Sequence, residues 1–218
     1  MSLEHPKLED LDGVILDFGG VLYDIDYDAP VQAFAALGDD SFRSLYHQAA
    51  QTPWFDQLET GTLDRKTFYG HLLKRCRPGT TESQVHEAWC CILTGMPPSR
   101  AELVVGLGKR TRLFLLSNTN AIHATVFEQD LKRNLPDSEG FWGAFEQAHY
   151  SHDLGIKKPH PSTFLHVCQL HGLQPDRTLF LDDSIQHVHG AREAGLQAHH
   201  LDLTQEDLGK WMSRMGWR

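Results

Sequence analysis

Short runs of consecutive apolar residues alternate along this chain with longer segments whose apolar residues recur at helical spacing. Apolar runs bounded by turn residues are typical of strands that are buried on both faces of a parallel sheet. Five segments are predicted to be strands of this kind, the third being more polar than the first two: 13–16, 111–116, 145–150, 178–181 and 197–200. Because helical patterns separate them, we expect an α/β fold with a parallel sheet and right-handed crossovers.

The helical patterns fall into two groups. Those of the first group follow the first strand and are predicted to begin near Asp28, Ser41, Trp54, Asp64 and Thr81. Each is amphipathic and no convincing strand interrupts them, so segment 23–98 is predicted to be a small helical domain with its own core. The second group comprises predicted helices at 99–108, 161–170, 184–194 and 204–215, and one that begins near residue 121. With the strands, these helices are predicted to form a core domain of residues 1–22 and 99–218.

Composition and charge narrow the possible partners. Lys and Arg total 20 and Asp and Glu total 29, which gives a formal net charge of −9. This balance argues against nucleic acid and against an anionic membrane as partners, whereas a small anionic substrate is compatible with it. No apolar run approaches the ~18 residues of a membrane span, and no signal-peptide pattern is present. Four cysteines without a C-x-x-C spacing indicate reduced thiols, so we expect a cytoplasmic protein. Its oligomeric state is left open between a monomer and a homodimer.

Polar side chains follow three of the predicted strands. Asp17 ends the first strand, Ser117 ends the second, and the pair Asp182 and Asp183 ends the fourth. Because parallel strands share one direction, these side chains are expected at the same edge of the sheet. Open α/β sheets bind their ligands at that edge.

Two further features complete this edge. The pair Gly19 and Gly20 lets the backbone turn sharply and approach a ligand closely. Lys158 lies in the proline-flanked segment 155–161, which is expected to be a stiff turn. Carboxylates are ligands that Mg²⁺ prefers, and phosphate oxygens commonly complete its shell. A hydroxyl and a lysine suit a transferring phosphoryl group, so these residues predict a site for Mg²⁺ and a small phosphorylated molecule.

Four motifs, in this order, resemble those of the haloacid dehalogenase-like hydrolase superfamily. They are the strand that ends at Asp17 with Gly20-Val-Leu22, then Leu115-Leu-Ser-Asn-Thr119, Lys158-Pro-His-Pro161, and Leu181-Asp-Asp-Ser184 followed by Gly190-Ala-Arg-Glu-Ala-Gly195. The resemblance implies a Rossmann-like parallel sheet of strand order 3-2-1-4-5 with an inserted α-helical cap domain. Within the insertion, Phe55-Asp-Gln-Leu-Glu-Thr-Gly61 and the later Phe68 resemble the cap of the sugar-phosphatase-like branch.

The resemblance also implies catalytic roles. Asp17 would be the nucleophile that forms an aspartyl-phosphate, and it would also be a metal ligand. Ser117, together with Asn118 and Gly20, would bind the phosphoryl group of the substrate. Lys158 would neutralise that group and keep Asp17 ionised.

A metal site is implied by the same motifs. Mg²⁺ would be held by Asp17, by the backbone carbonyl of Gly19 and directly by Asp183. Asp182 would support the ion either directly or through water. Mg²⁺ is therefore the expected cofactor.

Two departures from the family pattern affect these expectations. Gly19 stands where the family's phosphatases usually carry a second Asp that acts as general acid and base, a role worth ~100- to 10,000-fold in rate. The sugar-phosphatase-like branch also tolerates glycine at this position. His160 and His187 stand where the family more often has Asp and Asn, and we expect them to tune the site.

The predicted function is a Mg²⁺-dependent phosphomonoester hydrolase with a mobile cap, acting on a small phosphometabolite such as a sugar phosphate. One alternative is a metal-independent haloacid dehalogenase, in which Asp17 attacks carbon. The carboxylate pair of Asp182 and Asp183 argues against it, because that chemistry gains nothing from a cation site, and Gly19 argues mildly for it. The other alternative, also permitted by Gly19, is a non-catalytic protein that binds a phosphometabolite.

Five further residues are interpreted from their positions alone. Lys157 is expected to be a solvated loop charge. Glu59 is either a cap residue near the site or a solvated charge at a helix end. Trp54, Phe55 and Trp89 lie at helical spacing and are expected to form the core of the helical domain rather than a substrate surface.

Overall fold

The computed structural model describes residues 7–47, 50–51 and 53–217. The strands are β1 (Gly13–Leu16), β2 (Asp24–Ile25), β3 (Tyr46–His47), β4 (Ala50–Gln51), β5 (Leu93–Gly95), β6 (Leu113–Ser117), β7 (Gln147–Tyr150), β8 (Thr178–Asp182) and β9 (Gln197–His200). The helices are α1 (Asp28–Ala36), α2 (Pro53–Glu59), α3 (Arg65–Leu73), α4 (Glu82–Cys90), α5 (Pro98–Gly108), α6 (Ala121–Asn134), α7 (Ser138–Gly143), α8 (Ser151–Leu154), α9 (Pro161–His171), α10 (Ile185–Glu193) and α11 (Leu208–Arg214).

Five parallel strands form the central sheet in the order β7-β6-β1-β8-β9. Counted among the strands of this sheet alone, the order is 3-2-1-4-5; numbered along the chain it differs, because short strands outside the sheet intervene. β1 lies in the middle and pairs in parallel with β6 on one side and β8 on the other. All four of its residues are buried, as a continuous apolar run requires when both faces of a sheet are covered. The predicted α/β class with a parallel Rossmann-like sheet is therefore confirmed.

The crossover helices follow the predicted pattern closely. α6 begins directly after β6 because the side chain of Asn120 accepts hydrogen bonds from the backbone N–H groups of Ile122 and His123. The short helices α7 and α8 were not predicted, and the last helix begins at Leu208 rather than near residue 204. Helices of four to six residues are too short to establish a 3.6-residue period.

Segment 23–98 contains the predicted helices α1 to α4, but it also contains strands. β2 pairs with β5 and β3 pairs with β4, both antiparallel. The expectation of a segment without strands is therefore wrong, because strands of two or three residues are too short to produce an alternating pattern. The predicted helix at 41–50 is also wrong. Its described part forms a 3-10 turn at Phe42–Ser44 followed by β3 and the start of β4, and residues 48 and 49 lie outside the described residues.

Capping side chains start most of these helices. Asp64 accepts a hydrogen bond from the backbone N–H of Thr67 at the start of α3, and Thr81 forms a capping box with Gln84 at the start of α4. α1 begins at Asp28, as predicted. Its cap is the carboxylate of Asp26, which accepts from the backbone N–H of Asp28 at 2.8 Å.

The hydrophobic residues cluster on both faces of the sheet and, separately, within the helical segment. In that segment, Phe55 and Trp89 are each 1% exposed and stack with ring centroids 5.5 Å apart. Trp54 is partly buried and stacks on Phe55. The interpretation of these aromatic residues as a packed core is therefore confirmed, while the division of the chain into two domains stays a prediction. Among the described residues, no helix has the length and apolar character needed to cross a membrane.

Candidate active site

The carboxyl ends of β1, β6 and β8 meet at one edge of the sheet. Asp17 directly follows β1, Ser117 is the last residue of β6, and Asp182 is the last residue of β8. The backbone N–H of Asp17 donates to the carbonyl of Leu181 at 2.9 Å, which joins the end of β1 to β8. A cavity of about 310 Å³ opens at this edge, and Asp17, Ser117 and Asp183 line it. The structure thus brings the polar residues of three strand ends into one cavity.

Lys158 lies at the bottom of this cavity and is 1% exposed. Its Nζ donates to Oδ1 of Asp17 at 2.6 Å and to Oδ2 of Asp182 at 2.7 Å. Burial alone would favour the neutral amine, but the two carboxylates raise the pKa of Lys158 above its usual value. The lysine therefore stays charged, and it links the carboxylates at the ends of two neighbouring strands.

Asp182 is fully buried and is surrounded by donors. Besides Lys158, its carboxylate accepts from the backbone N–H of Ser184 at 2.7 Å and from Nδ1–H of His187 at 2.9 Å. Burial opposes its ionisation, but the charge of Lys158 and the hydrogen bond from His187 lower the pKa of Asp182 to about 2. The carboxylate of Asp182 is therefore ionised at neutral pH and holds the ammonium group of Lys158 in place.

Three carboxylates are close enough to share a cation. One oxygen from each of Asp17, Asp182 and Asp183 lies within 4.8 Å of the others. Burial and the charge of Asp182 raise the pKa of Asp17 to about 6, and burial and the charge of Asp17 raise the pKa of Asp183 to about 7. These shifts mean that the single charge of Lys158 does not offset the repulsion among the carboxylates. An oxygen-only donor set with excess negative charge fits Mg²⁺.

Positions 19 and 20, shortly after β1, are occupied by glycine for different structural reasons. Gly20 has a φ of +82°, and a Cβ there would collide with the carboxylate of Asp183. Gly19 is not strained, but a Cβ there would collide with Cδ1 of Ile25 on β2. Ile25 therefore fills the space that a side chain at position 19 would need. The position where the family's phosphatases usually carry their second Asp thus has neither a proton-transfer group nor room for one without movement of Ile25.

Asn118 clamps the lysine segment to the sheet. Its side chain donates to the backbone carbonyl of Lys158 at 2.8 Å and accepts from the backbone N–H of Lys158 at 3.0 Å. Thr163 Oγ1 donates to the carbonyl of Lys157 at 2.9 Å. The sequence did not predict this positioning role of the Asn118 side chain, because the two segments are 40 residues apart. Ser117 is 3% exposed and lines the cavity beside Asn118.

The helical segment covers the cavity from the opposite side. Tyr27, Tyr46, Asp56 and Glu59 line this roof, so of the two interpretations of Glu59 the position near the site is the one observed. Lys157 reaches up to α2, where its Nζ donates to Oε2 of Glu59 at 2.8 Å and pairs with Asp56. The interpretation of Lys157 as a solvated charge is therefore wrong. Its side chain is 23% exposed and connects the lysine segment to the roof.

Two residues of the cavity escaped the sequence analysis, and a third residue that was expected near it lies elsewhere. His123 lines the cavity, is 6% exposed, and donates from Nε2–H to the carbonyl of Trp89 at 3.1 Å. Burial lowers its pKa to about 4, so it is neutral. His123 was not predicted because a polar residue on the buried face of a helix does not add to the hydrophobic pattern of that helix. Tyr27 was not predicted because it is a single residue outside any recognisable motif. His160 lies elsewhere: its Nδ1 accepts from the backbone N–H of Ser162 and caps α9.

Sequence comparison places the chain in a family. A sequence model of the haloacid dehalogenase-like hydrolases matches residues 11–195. The chain is also 30% identical over 188 residues to D-ribitol-5-phosphate phosphatase of Bacteroides thetaiotaomicron, an alignment that covers 84% of this chain and 88% of that protein. The chain therefore belongs to the haloacid dehalogenase-like hydrolase family and is an enzyme of the hydrolase class.

Solved structures of the same family share the fold along nearly the whole chain. An HAD family enzyme of B. thetaiotaomicron, crystallised as a point mutant with magnesium and inorganic phosphate, has a TM-score of 0.82 at 24% identity, with 93% of this chain and 98% of that chain covered. An HAD-like family hydrolase of Porphyromonas gingivalis has a TM-score of 0.81 at 25% identity, with 95% and 98% covered. The fold of this chain, including its inserted helical segment, is thus the fold of these proteins.

Proposed function

We propose that this protein is a Mg²⁺-dependent phosphomonoester hydrolase that acts on a small polyol or sugar phosphate through an aspartyl-phosphate at Asp17. The observation that carries the proposal is the position of Asp17. Its carboxylate lines the cavity, is bound by Lys158 at 2.6 Å, and lies next to the carboxylates of Asp182, at the end of β8, and Asp183. A nucleophilic carboxylate beside a fixed cation is what attack on a negatively charged phosphoryl group requires.

The proposed hydrolysis consists of two displacements at phosphorus, and residues of this chain assist both of them. In the first, an oxygen of Asp17 forms a bond to phosphorus while the ester oxygen departs with the bonding electrons and takes a proton from water. In the second, water attacks phosphorus and the Asp17–phosphate bond breaks, which releases inorganic phosphate. Lys158 offsets the charge of the phosphoryl oxygens in both steps, and Ser117, the backbone of Asn118 and Gly20 orient them.

The metal site in this proposal uses residues that fit the ion. Asp17 and Asp183 would hold Mg²⁺ together with the backbone carbonyl of Gly19, and Asp182 would support it directly or through water. When bound, Mg²⁺ supplies positive charge that offsets the negative charge of the phosphoryl group. The excess of carboxylate charge described above supports this assignment independently of any relative.

The comparisons support the substrate class. The B. thetaiotaomicron relative is a D-ribitol-5-phosphate phosphatase, and the solved HAD family enzyme of that organism was crystallised with magnesium and inorganic phosphate. A cavity of about 310 Å³ is of the size that binds a small metabolite. We therefore propose a phosphorylated polyol or sugar as the substrate.

The proposal is tested by measuring phosphate release from ribitol 5-phosphate, from several sugar phosphates and from 4-nitrophenyl phosphate. Each reaction is run with Mg²⁺ and with chelator, and Asp17→Asn is the control for the nucleophile. We expect turnover that depends on Mg²⁺ and is absent in Asp17→Asn, and a trapped phosphoryl group on Asp17 in rapid-quench mass spectrometry.

Two other outcomes would replace the proposal. Halide release from 2-haloacids without metal, in place of phosphate release, would identify a dehalogenase. Tight binding of a phosphate ester without any turnover would identify a binding protein, for which the absence of a proton-transfer group at Gly19 would be the physical reason.

A further inference from the structure

The roof of the cavity is acidic. Asp56 and Glu59 lie one helical turn apart on α2 and both line the cavity. The Glu59 side chain is 13% exposed and that of Asp56 is 53% exposed. Tyr27 and Tyr46 line the same cavity. The part of a substrate that extends away from Asp17 therefore meets a surface that includes two acidic side chains and two tyrosines.

Both lysines of the cavity already carry carboxylate partners. Lys158 is bound between Asp17 and Asp182 at the floor. Lys157 pairs with Asp56 and lies 2.8 Å from Glu59 at the roof. The two adjacent lysines thus point to opposite ends of the cavity, and each is offset by two negative charges.

No other lysine or arginine of the described residues lines this cavity. His123 is buried and neutral with a pKa lowered to about 4, and His187 is bound to the carboxylate of Asp182. Within the part of the chain that the structure describes, the roof therefore has no cation left for a second anionic group of a substrate.

We propose that Glu59, with Asp56, selects a substrate whose non-phosphorylated end is uncharged and hydroxylated, and that these residues reject a second carboxylate or phosphate. Ionised carboxylates only accept hydrogen bonds, so they suit hydroxyl groups and repel anions. Lys157 is the positioning residue that holds Glu59 against the cavity. The inference rests on the proposed phosphatase function, and it narrows the substrate class to neutral polyol or sugar monophosphates.

A matched pair of substrates tests the inference. Ribitol 5-phosphate and 5-phosphoribonate share one carbon chain and one phosphate, and they differ in having a neutral carbinol or a carboxylate at the far end. We expect kcat/KM of the wild-type protein to be at least about 10-fold higher for ribitol 5-phosphate. The preference should be larger at low ionic strength, because salt screens charge repulsion.

The variants locate the source of that preference. In Glu59→Gln the ratio of the two kcat/KM values should fall, and in the double variant Asp56→Asn with Glu59→Gln it should fall further or reverse, since Lys157 is then released for the substrate carboxylate. Glu82→Gln is the matched control, because it also removes one negative charge from the helical segment. Glu82 lies in an exposed ion pair with Arg65, outside the cavity lining, so its removal should leave the ratio unchanged.

Each contrary result has a distinct meaning. Equal hydrolysis of both substrates by the wild-type protein would overturn the inference and leave the phosphatase function intact. A preference that survives unchanged in the folded double variant, as judged by circular dichroism, would equally overturn it. Failure to hydrolyse any phosphate ester, 4-nitrophenyl phosphate included, would overturn the proposed function itself and the inference with it.

Discussion

The Nζ of Lys158 lies 2.6 Å from Oδ1 of Asp17, and both side chains are almost completely buried. The same ammonium group binds Asp182 at 2.7 Å, so one cation offsets two carboxylates at the ends of neighbouring strands. A buried charge that loses its partner is costly. This relationship therefore links the stability of the fold to the chemistry proposed for Asp17.

The first prediction concerns Lys158→Met. The variant should lose at least about 100-fold in kcat, because it removes the charge that offsets the phosphoryl oxygens. It should also lose about 3–5 kcal/mol of unfolding free energy, because two buried carboxylates lose their counterion. Phosphate release and urea denaturation measure the two effects. Lys132→Met, an exposed position on α6, is the control and should change neither quantity.

The second prediction concerns position 19. Gly19→Asp combined with Ile25→Ala places a carboxyl group where the family's phosphatases usually carry their general acid and base, and removes the side chain that fills this space. We expect kcat for a poor leaving group, such as a polyol phosphate, to rise by about 10- to 100-fold. In the control double variant, Gly19→Asn with Ile25→Ala, the side chain at position 19 has nearly the same shape as Asp but cannot transfer a proton. This variant should show no gain in kcat. Equal rates in the two double variants would mean that proton transfer does not limit turnover.

Much of this site could be predicted because the chain folds as a parallel sheet. Asp17, Ser117 and Asp182 each follow an apolar run, and parallel strands must end at one edge, so their meeting follows from local patterns. The glycine pair was recognisable because it comes just after the first of these apolar runs. The structure adds the cause, since only a residue without a side chain lets Asp183 approach Gly20.

What the sequence could not predict depends on contacts between distant segments. The family motif singled out Lys158, but nothing in the sequence indicated that Lys157 binds Glu59, 98 residues away in the chain. The strands β2 and β5 contain two and three residues and exist because they pair with each other. No periodicity within either segment could indicate this pairing.

The third prediction concerns the pH dependence of metal binding. The raised pKa values of Asp17, about 6, and Asp183, about 7, mean that the metal-free folded protein keeps protons that the unfolded chain has already lost. Ionisation of these groups therefore costs stability as the pH rises, and a bound cation removes that cost. The increase in Tm on adding Mg²⁺ should grow from pH 5 to pH 8, and chelator should reverse it.

Two variants separate this effect from general salt stabilisation. Asp183→Asn should abolish the increase in Tm caused by Mg²⁺ at every pH. Asp176→Asn removes an exposed carboxylate away from the cavity and should keep it. A Tm increase that is independent of pH, or that survives in Asp183→Asn, would contradict the assignment of the metal site.

The fourth prediction concerns His123, which joins the sheet-side helix α6 to the helical segment. Burial lowers its pKa to about 4 from the usual 6.5, so the folded state excludes a proton that the unfolded chain accepts. The stability that comes from the neutral ring is therefore complete above pH 6.5 and is lost as the pH falls towards 4. The loss should reach up to about 3 kcal/mol in unfolding free energy.

Urea denaturation between pH 4 and pH 7.5 measures this loss. His123→Gln keeps an N–H donor for the carbonyl of Trp89 but cannot be protonated, so its unfolding free energy should fall less steeply with decreasing pH. Part of the slope should remain, because burial also lowers the pKa of His149 to about 4. His189→Gln, at an exposed position of α10, should retain the full wild-type slope. If His123→Gln and the wild-type protein lose stability in parallel, protonation of His123 is not what destabilises the fold in acid.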